Sequence, residues 1–232
     1  IETLLDGVKQ VSDNIAHDLR TPLARLRNRL DELGQDEDRE GRREVVEGAI
    51  QEADGLLATF SALLRIARIE SGARRSGFEQ VDLASLAREV VELYEPLAES
   101  RGQSLTLRAP GRAVVPGDPE LLSQALANLM DNALKYTAEG GAVEVVVNAA
   151  GGAPSVTVAD TGPGIPAGER ESVFQRFYRL DASRSSPGSG LGLSLVAAVA
   201  KLHEIEVRLD DGRPGLRVVL EWPPAGEGTA TG

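Results

Sequence analysis

Leu4, Val8, Val11, Ile15, Leu19, Leu23, Leu26, Leu30 and Leu33 recur at steps of three and four, the apolar seam of a long amphipathic helix. "GQDEDREG" (34–41) is polar with a glycine at each end and reads as a turn. A second seam follows at Val45 or Val46, Ala49, Ala53, Leu56, Phe60, Leu63 and Ala67. The pattern predicts an α-helical hairpin over residues 1–70. Two helices alone bury little, so two copies are expected to pair as a dimeric four-helix bundle, making the protein a homodimer. "SGARRSGFEQ" (71–80) has glycine, serine and charge without periodicity, and reads as a linker. From 81 to 223 the pattern becomes mixed α/β. Asp82 is a plausible N-cap, with Val81 and Leu86 as a hydrophobic staple around it. "LASLAREVVELYEPLAE" reads as a helix, "SLTLRA" and "AVVP" as short strands. "PELLSQALANLMDNALKY" is an apolar helix opening after Asp118. "AVEVVVN" and "SVTVAD" alternate as strands, with Val143, Val145 and Val147 on one face. "GLSLVAAVAKLH" reads as a buried helix, and "EVRLD" and "LRVVLEW" close the sheet. "PPAGEGTATG" has the composition of a disordered tail, assigned to 224–232.

Composition narrows the classes. Hydrophobic residues are 41% of the 232, ordinary for a globular protein, but aromatics are only 3%, so aliphatic side chains must fill the core. The formal charge of -11 argues against general binding to nucleic acid or an anionic membrane, which needs a basic surface. The absence of cysteine excludes disulfides, thiolate metal sites and thiol catalysis. No run of 18 apolar residues is present, so no segment of this chain is expected to span a bilayer. The first helical pattern is already running at Leu4, as expected of a piece of a longer protein.

The polar exceptions carry the chemistry. Asn128 and Asn132 share a helix face, and two amides in an apolar helix are costly unless something satisfies them. Lys135 and Tyr136 follow one turn later; an ion pair between Lys135 and Asp131 is the plain structural explanation. "ADTGPGIP" (159–166) leaves a strand directly, either as an ordinary turn or as a loop whose glycines let backbone approach a ligand beside Asp160. "GSGLGL" (188–193) opens a helix, where the amides of Gly190, Leu191 and Gly192 could cradle phosphates. It follows no strand, and no Gly-Lys-Ser/Thr comes after it, so it is neither a Rossmann fingerprint nor a P-loop.

"NLMDNALKY", "DTGPGI", "FQRFYR" and "GSGLGL" in this order resemble the ATP-binding domain of the GHKL superfamily, in its sensor histidine kinase branch. The resemblance covers roughly residues 80–222. It implies an α/β sandwich and a set of roles. Asn132 would ligate Mg²⁺, with Asn128 near the same ion and the phosphates; Lys135 would pair with phosphate and Tyr136 would pack on the nucleoside. Asp160 would accept the adenine amino hydrogen, and Gly162, Gly164 and Ile165 would line the base pocket. Residues 165–187 would form the ATP lid, anchored by Phe174, Phe177 and Tyr178, with Gly188 at its end. Arg176 and Arg179 would be candidates for phosphate contact. Hydrolysing members carry Glu where Asn128 stands, and an amide cannot activate water, so the γ-phosphoryl is left for another nucleophile. The family's glycine pair after the histidine of "KLHEIEV" is missing here, which puts a turn at His203–Glu204 in question.

"NIAHDLRTPL" (14–23) supplies that nucleophile. His17, one of two histidines in the chain, points away from the seam of Ile15 and Leu19. An imidazole of ordinary pKa, about 6.5, is largely neutral at pH 7. Asp18 can orient its ring and take its proton. The segment resembles the phosphoacceptor box of histidine kinases. His17 would then accept the γ-phosphoryl from ATP, Asp18 would act as acid/base, and Thr21 would help hold a water that dephosphorylates the response regulator. That regulator would dock around Arg27 and Asn28. Pro22 cannot donate to the carbonyl of Asp18 and is expected to bend the helix there. The reading is a cytoplasmic kinase core belonging to an inner-membrane sensor. The alternatives are a GHKL ATPase driving conformational change and a degenerate kinase scaffold.

Overall fold

The computed structural model describes residues 39–70, 77–149, 153–180 and 189–224. The chain divides into two compact units, residues 1–72 and 73–232. The expected first helix, with His17, Asp18, Thr21 and the bend at Pro22, lies outside the described residues. So do Gly188 and the tail beyond 224.

In the first unit, α1 (Arg39–Glu70) begins inside the stretch read as a turn. The single seam read from the sequence divides in two. Ala49 and Leu63 are buried together with Ile66 and Ile69, whereas Val46 and Phe60 are exposed together with Ile50, Leu57 and Leu64. The exposed set has steps of four, seven, three and four, the repeat of a helix that packs along a partner helix. A helix with two neighbours carries two apolar rows, and a linear pattern merges them.

The second unit is built on β1 (Glu79–Asp82), α2 (Leu83–Ser100), β2 (Ser104–Arg108), β3 (Val114–Gly117), α3 (Pro119–Tyr136), β4 (Ala142–Asn148), β5 (Ser155–Asp160), α4 (Gly192–His203), β6 (Glu206–Asp211) and β7 (Leu216–Glu221). Two 3₁₀ turns, Ala167–Glu169 and Ser172–Phe174, lie between β5 and α4. β1 and β3 form a small antiparallel pair; the other strands form a mixed sheet in the order β2-β4-β5-β7-β6, with only β2 and β4 parallel. Register aligns Leu107, Val145, Val158, Val218 and Leu209 across all five strands. Val143, Val145, Val147, Val156 and Val158 are buried on the face that α2, α3 and α4 cover. The intervening positions carry ion pairs such as Arg108–Glu144 (2.9 Å) and Arg208–Glu221 (3.1 Å). This is the α/β sandwich expected from the sequence. β1 was not: the last residues of the stretch read as a linker, Glu79 and Gln80, belong to it.

Local chemistry sets the helix ends. Asp82 caps α2 by accepting from the Ala84 N–H (3.1 Å), and the flanking Val81 and Leu86 are both buried. Asp118 caps α3 through the N–H groups of Glu120 (3.0 Å) and Leu121 (3.1 Å), with Pro119 in the first turn. The buried His203, at the end of α4, ties the two helices together. Its Nδ1 bonds the Val199 carbonyl (2.8 Å), its Nε2 accepts from the Asp118 N–H (2.9 Å), and its ring stacks on Phe78 at 4.6 Å. The turn left open by the missing glycine pair is made by Glu204 itself, in the left-handed region at φ 59°. That conformation costs a non-glycine residue about 1 kcal/mol, and the Ile205 N–H closes the turn on the Ala200 carbonyl (2.8 Å). At the other end of α3, the Gln103 amide donates to the carbonyls of Leu134 and Thr137. Among the described residues no helix is long and apolar enough to cross a membrane.

Candidate functional site

α3 presents Asn128 and Asn132 to the start of α4. The Asn128 side-chain N–H donates to the Gln124 carbonyl one turn back (2.9 Å). That leaves its Oδ1 facing Gly192, 3.2 Å from where a Cβ there would sit; the Asn132 amide lies 3.6 Å from the same point. At the start of α4 the Leu191 N–H donates to the Ser189 hydroxyl (3.3 Å), and Leu191 at the N-cap brings no capping side chain of its own. Amide oxygen and helix N–H groups therefore meet at one place, which suits an anion together with a hard cation. Among the described residues no cluster of three His, Cys, Asp or Glu side chains could hold a metal, so a cation here would rest on amide oxygen.

Asp160 closes β5. Its Oδ1 accepts from the Gly162 N–H (2.8 Å) and the Leu216 N–H (3.2 Å), which leaves Oδ2 for a ligand's donor. Gly162 has no room for a side chain: a Cβ would stand 2.7 Å from the Tyr136 carbonyl, so the last turn of α3 presses against this loop. Tyr136 is exposed, and the Lys135 ammonium lies 4.8 Å from the centre of its ring. Gly164, at φ +74°, sits against the carbonyl of Gly215. Ile165 is half-buried and its carbonyl accepts from Arg170 (3.3 Å).

Sequence reasoning missed the second wall of this pocket. The β6–β7 turn, with Arg213, Pro214 and Gly215, packs under Asp160. Its only local signal was "GRPG", which reads as an ordinary hairpin turn; what it touches is 55 residues away in the chain.

Phe177, in the stretch assigned to the lid, is joined to Gly190 at the approach to α4. The Phe177 N–H donates to the Gly190 carbonyl (3.0 Å), and both residues have positive φ, 61° and 71°. A Cβ on Gly190 would stand 2.8 Å from the Phe177 main chain. The Tyr178 hydroxyl bonds Glu169. Phe174, Arg176 and Arg179 are half-buried along this stretch.

Burial pushes the Asp160 carboxyl above its ordinary range, and the two N–H bonds only partly offset it. The folded chain therefore holds this proton more tightly than the unfolded chain does. Stability is highest below the unfolded value and falls as pH rises through the folded one. Asp160→Asn keeps the acceptor for both N–H groups and removes the charge. It is expected to melt about 2 °C above the parent at pH 7, with the gap closing near about pH 4; thermal unfolding at the two pH values checks this.

Residues 8–72 match the His Kinase A (phospho-acceptor) domain, and residues 117–226 match the histidine kinase-, DNA gyrase B- and HSP90-like ATPase family. The chain is 35% identical over 199 residues to the sensor protein IrlS of Burkholderia pseudomallei, across 84% of this chain and 42% of that protein. Among solved structures, the mycobacterial sensor histidine kinase MprB is 32% identical with a TM-score of 0.55, covering 63% of this chain and 97% of that one. Full-length ShkA in complex with AMPPNP is 27% identical with a TM-score of 0.69, covering 94% of this chain and 46% of that one. The chain spans about half the length of the curated relatives it matches.

Proposed function

This chain belongs to the sensor histidine kinases, of which it carries the phospho-acceptor and ATP-binding domains, and on that footing we propose that it is an ATP:protein-histidine phosphotransferase. The observation that carries the reading is the meeting of Asn128 and Asn132 with the start of α4, on the same helix whose last turn presses on the Asp160 loop. Phosphates and a cation would find N–H groups and amide oxygen at the first place, and a base would find an acceptor at the second.

Asp160 Oδ2 accepts from the adenine amino group, and Gly162, Gly164 and Ile165 let the base lie close to the backbone. Tyr136 packs on the nucleoside and Lys135 pairs with phosphate, aided by Arg176 and Arg179. The N–H groups of Gly190, Leu191 and Gly192, with Gly188 before them, receive the phosphate oxygens. Asn128, through its Oδ1, and Asn132 would hold Mg²⁺, which would supply neutralisation of the phosphate charge. Asn128 cannot take a proton from water, so hydrolysis is disfavoured. The phosphoryl group instead passes to His17: the bond from the bridging oxygen to γ-phosphorus breaks, a nitrogen–phosphorus bond forms, ADP leaves, and Asp18 takes the imidazole proton.

The second substrate is an aspartate on a response regulator, docked around Arg27 and Asn28, and Thr21 supports the reverse dephosphorylation. The exposed row Val46, Ile50, Leu57, Phe60 and Leu64 supports the homodimer, since a lone helical hairpin would leave it in water. The relatives named as sensors support a cytoplasmic kinase core of a membrane-bound receptor.

Incubating the protein with Mg²⁺ and γ-labelled ATP tests the reading. The expected product is a phosphoprotein that loses its label in acid and keeps it in alkali. Fast multiple-turnover hydrolysis without phosphoprotein would instead identify an ATPase that drives conformational change. Absence of nucleotide binding would identify a scaffold.

A further inference from the structure

One side chain bridges the Asp160 loop and the strand beyond it. Arg170 follows the first 3₁₀ turn, and its side chain is only 24% exposed. Its Nε donates to the Ile165 carbonyl (3.3 Å), its Nη1 to the Leu209 carbonyl (3.2 Å), and its Nη2 pairs with Asp211. Asp211 stands opposite Leu216 in the β6–β7 register, and the Leu216 N–H is the one that reaches Asp160 (3.2 Å). Gly164, the residue before Ile165, rests on the Gly215 carbonyl of the same hairpin turn. These contacts close a ring: Asp160, the loop to Ile165, Arg170, Asp211, Leu216 and back to Asp160.

We propose that Arg170 is a positioning residue for adenine recognition, clamping the Asp160–Ile165 loop onto the β6–β7 hairpin so that the acceptor and the wall of the base pocket keep a fixed separation. The proposal rests on the ATP-binding reading above and deepens it. Arg170 touches no phosphate-binding group among its contacts, so its effect falls on the base half of the ligand alone.

The residue type follows from the geometry. Two carbonyls and a carboxylate in different directions need a planar fork of donors, which a lysine ammonium on a flexible stem does not supply. Asp211 is 62% exposed, and an ion pair with so exposed a partner contributes little by itself. The two bonds to main-chain carbonyls are what hold the loop. Asp211→Asn, which retains an acceptor, should therefore stay near the parent.

The test compares the affinity of the whole chain for Mg-ATP with that for Mg-tripolyphosphate, which has no base, by calorimetric titration. Arg170→Ala is expected to weaken ATP by about tenfold, the equivalent of one charged hydrogen bond. Tripolyphosphate affinity should change by less than about twofold, a margin below half a hydrogen bond. Arg170→Lys should show the same selective loss in smaller degree, and it carries the comparison if the alanine variant does not fold. ATP affinity unchanged in both variants would overturn the proposal. So would equal losses for ATP and tripolyphosphate, which mark general damage, or full rescue by lysine. A parent protein that binds no ATP overturns the nucleotide reading itself, and that is seen before any variant is made.

Discussion

His17→Ala will take up no label from γ-labelled ATP while binding ATP as the parent does. The argument is one of exclusion as well as reactivity. A nitrogen nucleophile with a free lone pair at pH 7 is needed, and the chain has two histidines to supply it. His203 is buried, and both of its ring nitrogens are engaged, one with the Val199 carbonyl and one with the Asp118 N–H. It cannot stand in. There is no cysteine. Loss of the acid-labile phosphoprotein should exceed about 10³-fold, as expected when a covalent nucleophile is removed outright. Undiminished acid-labile label in the variant would show that another residue accepts the phosphoryl group.

Gly215→Ala will damage stability and nucleotide binding together. Gly215 sits at φ +94°, in the region that disfavours any side chain. A Cβ there would overlap the main-chain oxygen of Asp160, and backbone at the end of a sheet strand has little room to retreat. The hairpin must move away, and the Leu216 N–H moves off Asp160 with it. A loss of about 3 kcal/mol is the scale of such a clash, read as a fall in melting temperature of about 6–10 °C. ATP affinity should fall by at least about 100-fold, two hydrogen bonds' worth, if the acceptor is displaced. Gly168→Ala is the matched control: nothing lies within 4 Å of its added methyl group, and it should behave as the parent. Equal behaviour of the two variants would show that the hairpin does not support Asp160.

What the sequence revealed and what it hid divide along the range of the interactions. Strand alternation in β4 and β5 and the caps at Asp82 and Asp118 are local, and the residues that make them lie within a few positions of one another. β1 is four residues long with one buried side chain, and its partner β3 begins more than 30 residues later, so nothing nearby marks it as a strand. The two rows of α1 are distinct only once burial is known. The motifs placed Asn128, Asn132, Asp160 and the glycines in a set by their order; in the structure Asn128 and Asn132 meet Gly192, and Asp160 meets Gly162. The hairpin wall and Arg170 lay outside that set, because their roles depend on which strand lies next to β7. His17 and its neighbours were readable as chemistry from the sequence, and the described residues do not extend to them.

The bond between Phe177 and Gly190 has a consequence for how such a protein can vary. It joins the two ends of the intervening segment at one point, immediately before α4 begins. Variation at position 190 is therefore costly: a Cβ there would stand 2.8 Å from the Phe177 main chain, and giving way would draw the start of α4, and Gly192 with it, off Asn128.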